Sequence, residues 1–167
     1  MGIRRANYRP VYQMPASAMA TPESNGAPLS RNLDIPVRLF DDTTAEYVQG
    51  SFWLPDNYDA GGDVLLTAAV EPACAETPAN SDVSYRVAWR ALPHGSDPGG
   101  SWSNDDTTFS DEIVTGSGML YLHEITFTPT DWGAGRLILF KFGRNPGGGE
   151  FGGDLRLYHL TIEIPVR

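Results

Sequence analysis

Val83-Ser84-Tyr85-Arg86-Val87-Ala88-Trp89-Arg90-Ala91 alternates. Val83, Tyr85, Val87, Trp89 and Ala91 make one apolar face, and Arg86 and Arg90 stand on the other. Successive side chains of a strand point to opposite faces, so this period of two marks a strand half buried in a sheet. On a helix the same apolar residues would scatter around the axis.

The rhythm recurs outward in both directions. Upstream, residues 33–40 alternate through Leu33, Ile35, Val37 and Leu39. Residues 47–54 put Val48, Gly50, Phe52 and Leu54 on one face, and 64–70 form a third run closed by Pro72. Downstream lie a weaker strand at 109–114 and a long one at 119–128, with Tyr121, Ile125 and Phe127 opposite Leu120 and Leu122. Residues 137–142 are almost continuously apolar, as a strand covered on both faces would be. The last run, 155–166, alternates through Tyr158, Leu160, Ile162 and Ile164. Asp41-Asp42, residues 55–62, 93–106, 129–135 and the glycine-rich 145–153 separate the runs, and Gly116-Ser117-Gly118 reads as a short hairpin connection. Eight short strands with glycine and proline turns, and no helix of three turns, predict an all-β, antiparallel two-sheet sandwich. Eight is the jelly-roll count. An immunoglobulin-like sandwich is the competitor, but its Cys…Trp…Cys signature is missing. Trp53 and Trp89 lie within strands and are expected in the core.

The 167 residues suit one domain, and a 41% hydrophobic content excludes wholesale disorder. A net charge of −9 makes free nucleic acid a poor partner. The basic residues are arginines except for Lys141. Cys74 is the single cysteine, so no intramolecular disulfide forms; flanking acids make it an inert thiol suited to a reducing compartment. No apolar stretch follows the N-terminal arginines as in a signal peptide, and none approaches the ~20 residues of a membrane helix. Ala6 stands where N-myristoylation of Gly2 would want Ser or Thr.

Residues 1–32 differ from the rest. Pro10, Pro15, Pro22 and Pro28 forbid a continuous helix or a central strand there. Tyr8, Val11, Tyr12 and Met14 are more than a linker needs. The expectation is an extended N-terminal arm over 1–32 that orders on a neighbouring subunit, with the sandwich domain over 33–167. Arg4, Arg5, Tyr8, Arg9, Tyr12 and Met14 are its candidate partner contacts.

No residue set predicts catalysis. His94, His123 and His159 lack metal-ligand spacing, and no G-x-S-x-G elbow exists. Asp56, Asn57, Asp59 and Asp63 could gather oxygens for calcium, but turn chemistry explains them better. Asp105-Asp106 and Asp111-Glu112 are acidic pairs on a loop and a weak strand, where solvated carboxylates are expected. Residues 144–153 lack the helix that a phosphate cradle needs. Trp102 and Trp132 sit in polar turns, where an aromatic either stacks on a sugar, anchors a protein or folds back as a lid on the sandwich. No enzyme activity, metal or cofactor is expected.

Several stretches together resemble a known group. They are Phe52-Trp53-Leu54-Pro55-Asp56-Asn57-Tyr58 leading to Gly61-Gly62-Asp63-Val64, Val87-Ala88-Trp89-Arg90, Trp132-Gly133-Ala134-Gly135-Arg136-Leu137, Phe142-Gly143-Arg144-Asn145, and Asp154 before Leu157-Tyr158-His159-Leu160. Over roughly residues 45–167 the chain resembles the small jelly-roll virion proteins of tailed bacteriophages, namely capsid cement (decoration) proteins and fibre or knob modules. The resemblance implies a non-enzymatic structural protein, made in the host cytoplasm, that trimerises on the outer shell of the capsid. Its implied partners are the major capsid protein and neighbouring cement subunits, with no nucleic acid and no membrane. The alternatives are a tail-fibre or knob module, and a carbohydrate-binding module that uses Trp102 or Trp132.

Overall fold

A computed structural model describes residues 9–73, 81–99, 102, 107–113, 118–146 and 151–167. Ten strands form: β1 Val11–Pro15, β2 Leu29–Asn32, β3 Ile35–Phe40, β4 Glu46–Trp53, β5 Val64–Pro72, β6 Ser81–Leu92, β7 Thr107–Ile113, β8 Tyr121–Phe127, β9 Leu137–Arg144 and β10 Leu155–Glu163. Among the described residues the one helical piece is a 3-10 turn at Ala16–Ala18. Every strand pairing is antiparallel.

The eight strands expected from the sequence correspond to β3–β10. They divide into one sheet ordered β3-β10-β5-β8 and another ordered β4-β9-β6-β7. Successive strands thus cross between sheets except at the β6–β7 hairpin, which is jelly-roll topology. The expected hairpin at Gly116-Ser117-Gly118 falls partly outside the described residues, but the strands flanking it do not pair with each other: β7 pairs with β6 and β8 with β5, in opposite sheets.

The separate arm is also corrected in its described part. β1 extends the first sheet by pairing with β10 from Val11↔Glu163 to Pro15↔His159, and β3 takes the same edge of β10 further along, at residues 155–157. β2 joins β3 through Leu33 and Asp34, whose φ angles of 48° and 67° give the turn the twist that a two-residue hairpin needs. Prolines are compatible with β1 because it is short and at a sheet edge.

Between β1 and β2 the chain crosses to the second sheet and covers the free edge of β4 at Tyr47 and Gln49. Ala20 and Gln49 exchange both backbone hydrogen bonds at 2.9 Å, and Tyr47 bonds Asn25 and Ala27 in the same way. Covering an edge strand removes a template for unwanted pairing. Arg38, buried on β3, pins this crossing. Its guanidinium donates to the carbonyls of Ala16 (3.1 Å), Ala27 (3.3 Å) and Met19, and to the Thr21 hydroxyl (2.6 Å).

The core lies between the sheets. At one end Trp89 and Phe127 stack with centroids 5.2 Å apart, and Trp132 stands edge-on to both at 5.9 Å. At the other end Arg144 is fully buried and donates to the carbonyls of Gly153, Phe151 and Asp41, which ties the β9–β10 and β3–β4 connections together.

Candidate functional site

The outer face of the second sheet is built by parity. β4 and β9 pair as Gln49↔Lys141, Ser51↔Leu139 and Trp53↔Leu137, and β6 continues the rows with Ala88, Arg90 and Leu92. Phe52, Phe140 and Ile138 face the core, so Gln49, Ser51, Trp53, Leu139 and Lys141 face outward.

The described residues of the β6–β7 connection, 93–99 and Trp102, lie against this face. Ser96 N–H bonds the Pro93 carbonyl at 3.1 Å, and Asp97 Oδ1 accepts from Gly99 N–H at 2.8 Å. Arg90 Nη1 donates to the Pro98 carbonyl at 2.5 Å and holds the loop to β6. Trp102 then lies over the sheet, with Lys141 Nζ 4.3 Å from its ring centroid. A cation so placed is attracted to the negative face of the ring. The same ammonium lies 5.9 Å from the Tyr47 ring.

Beside Trp102 runs a groove of about 440 Å³. Gln49, Ser51 and Leu139 belong to its sheet side, and Met14, Ala18 and Ala20 form the opposite wall. That wall exists because residues 14–20 are folded against β4. Gly50 leaves room for it, since a Cβ there would lie 2.3 Å from Met14 Sδ. The backbone adds polarity. Gln49 turns its N–H and C=O away from β9 to meet Ala20, so Ser51, two residues on, turns its own the same way. Among the described residues nothing bonds those two groups of Ser51.

The expected site residues disperse. Arg4, Arg5 and Tyr8 lie outside the described residues, as do Cys74, Asp105 and Asp106. Arg9 is exposed. Tyr12 and Met14 turn into their own chain: the Tyr12 ring packs on Phe52 with centroids 4.7 Å apart, and its hydroxyl donates to the Trp53 carbonyl. Trp132 is corrected as a surface contact. It is 3% exposed, because the β8–β9 loop folds inward over the aromatic end of the core. Trp53 is corrected in the other direction, being 57% exposed on the outer face. Trp89 is in the core.

The acids fall into turns and ion pairs. Asp63 accepts from the Thr128 hydroxyl at 2.6 Å, and Asp59 pairs with Arg167 at 2.8 Å. A group missed from sequence is Asp41, Asp42 and Asp154, with carboxylate oxygens within 4.8 Å of one another. The Thr43 hydroxyl and amide hold Asp41 below the usual carboxylate range. Neighbouring Glu46 is pushed up, by burial first and then by repulsion from Asp41 and Asp154. Asp41 accepts from Thr43 and Thr44, and Glu46 from the Asp41 amide, so the arrangement is that of a tight turn. Only the pair Asp41-Asp42, breaking the run before it, was visible in sequence. Of the histidines, His94 is exposed, His159 half-buried and His123 buried in the core.

No protein-family model and no curated protein matches the chain. Solved structures do. The CBM36-1 domain of a multidomain xylanase from the hindgut metagenome of Trinervitermes trinervoides is 16% identical, with a TM-score of 0.47 over 92% of this chain and 96% of that one. A non-crystalline cellulose specific carbohydrate-binding module, CBM28, is 12% identical, with a TM-score of 0.46 over 89% and 86%. The enzymatically active domain of bacteriophage CBA120 tailspike protein 4 is 8% identical, with a TM-score of 0.43 over 93% of this chain and 19% of that one. By its own strand pairing the chain is an antiparallel β-sandwich of jelly-roll topology.

Proposed function

We propose that this chain is a non-catalytic binding module that takes carbohydrate in the groove along β4, with Trp102 as the stacking platform. One observation carries the reading: a loop tryptophan held over the sheet beside a groove whose apolar walls alternate with hydrogen-bonding groups. A sugar ring has an apolar C–H face and a rim of hydroxyls that both donate and accept. Trp102 and Leu139 suit the face. The Gln49 amide, the Ser51 hydroxyl and the open Ser51 backbone groups each offer donor and acceptor capacity to the rim. Binding sites in general combine mostly apolar walls with a few placed polar groups. The capsid-cement expectation has no comparable support, since Tyr12 and Met14, two of the contacts it would use, pack within this chain.

Affinity electrophoresis through gels holding different soluble polysaccharides tests the proposal. Retardation of the wild-type chain on at least one polymer, lost in Trp102→Ala, is expected. Absence of retardation on every polymer, or retention of it by Trp102→Ala, would overturn the reading.

A further inference from the structure

We infer that the ligand is a linear oligosaccharide chain, not a single sugar, and that Trp53 is its second platform; this rests on the carbohydrate reading of the Trp102 groove. Trp53 shares the outer face with Gln49 and Ser51, each two residues from the next along β4. Trp53 is 57% exposed, whereas Trp89 and Trp132 are buried. Leu137 and Leu92 continue its row across the sheet. The placement is held from behind. Phe52 anchors the strand in the core, and the Tyr12 hydroxyl bonds the Trp53 carbonyl, so the end of β4 is fixed while the indole faces outward.

Separation decides the class of ligand. Lys141, under Trp102, and Leu137, beside Trp53, are four residues apart on β9, which is about 13 Å of strand. One pyranose ring cannot touch both indoles. Several rings in line can, running along the open edge of β4. Such a chain would pass Ser51 midway, where a backbone N–H and C=O face the groove, and Leu139 beneath. Apolar stations at both ends and hydrogen-bonding groups between them match a repeating polymer of sugar rings.

Titration calorimetry of the full chain tests this, using xylose-, glucose- and mannose-based linear series from monosaccharide to hexasaccharide. For the series that binds, affinity should climb with length until both tryptophans are spanned. Trp53→Ala should leave the shortest binding sugars unaffected and lose about tenfold on the longest, a factor in keeping with one aromatic contact. Trp53→Tyr, which keeps a ring, should recover most of the loss. Unchanged circular dichroism would show that both variants are folded. A climb with length that persists in Trp53→Ala, or affinity indifferent to length, would overturn this inference and leave the Trp102 groove standing. No binding by the wild-type chain to any series would overturn both.

Discussion

Tyr85 on β6 and His123 on β8 meet across the core, with Oη 2.7 Å from Nδ1, and so join the two sheets by a buried polar contact. The Tyr85 ring also stacks on Phe142, with centroids 5.2 Å apart. Tyr85→Phe keeps that stack and deletes only the hydroxyl. Because it removes a buried hydrogen bond between the sheets, it should cost roughly 1–3 kcal/mol in urea unfolding. His123→Leu should cost a similar amount, and the double variant less than the sum, since the residues share one contact.

Arg38 is the residue on which the N-terminal crossing depends. Replacing it with Leu leaves the carbonyls of Ala16, Met19 and Ala27 without their charged donor. The expected loss is on the order of 3 kcal/mol, since hydrogen bonds to a charged group are the stronger kind and several go at once. Limited proteolysis should cut first within residues 16–27. Since those residues carry one wall of the groove, polysaccharide retardation should fall with them. Uniform protection of that segment in Arg38→Leu would count against the pinning role.

Two glycines of the second sheet should behave differently. A Cβ at Gly143 would lie 2.2 Å from the Glu46 carbonyl oxygen and 2.5 Å from the Tyr47 ring, so strand β4 itself would have to move. A Cβ at Gly50 meets only the thioether of Met14, at 2.3 Å, and an unbranched side chain can re-route. Gly143→Ala should therefore destabilise by about 2–3 kcal/mol, near the top of the range for overpacking, and Gly50→Ala by less than about 1 kcal/mol. Parallel thermal melts decide it.

The legible and illegible parts of the sequence divide on physical grounds. Most of β3–β10 were visible because one face lies on the core, so period two is written into the residues, and β9 was visible as a continuous apolar run. β1 and β2 were hidden because each is short, lies at an edge and sits among prolines, which removes the pattern while permitting the pairing. Trp53 was misplaced by its type, although parity with Phe52 already put it on the other face. Trp132 stayed open between surface contact and lid because a polar turn suits both, and the loop closing the end of the sandwich turns its large side chain inward. The groove could not be read at all. It needs residues 14–20, β4 and a distant loop brought together by Arg38 and Arg90, and no local spacing encodes that.

Tyr58 gives the fold an alkaline weakness. Burial, aided by repulsion from Asp59 and Asp131, pushes its hydroxyl up to about 12 from the ordinary 10.0. Below pH ~10 both folded and unfolded chains keep the proton, and this residue contributes no pH dependence. Between pH ~10 and ~12 the unfolded chain releases the proton while the folded chain holds it. Stability then falls as pH rises, by up to about 1.4 kcal/mol per unit. Tyr58→Phe removes this component, so the variant should overtake the wild type across that window. At neutral pH it should be equal or slightly more stable, since the buried hydroxyl has no hydrogen-bond partner among the described residues. Parallel melting curves for both proteins at any pH above 10 would contradict the shift.

The two loop tryptophans separate folding from binding. Trp132 fills the aromatic end of the core, edge-on to Phe52, Trp89 and Phe127. Trp132→Ala should cost about 3–5 kcal/mol, as truncating a buried large aromatic does, and lower the melting temperature accordingly. Trp102 lies on the outer face and contributes little to the core, so Trp102→Ala should shift the melting temperature by only a degree or two while abolishing polysaccharide retardation. The contrast has a direct control. Below its melting temperature, folded Trp132→Ala should still be retarded, because the groove is made by other residues. Loss of retardation in folded Trp132→Ala, with Trp102→Ala still binding, would move the site from the outer face of the sheet to the end of the sandwich.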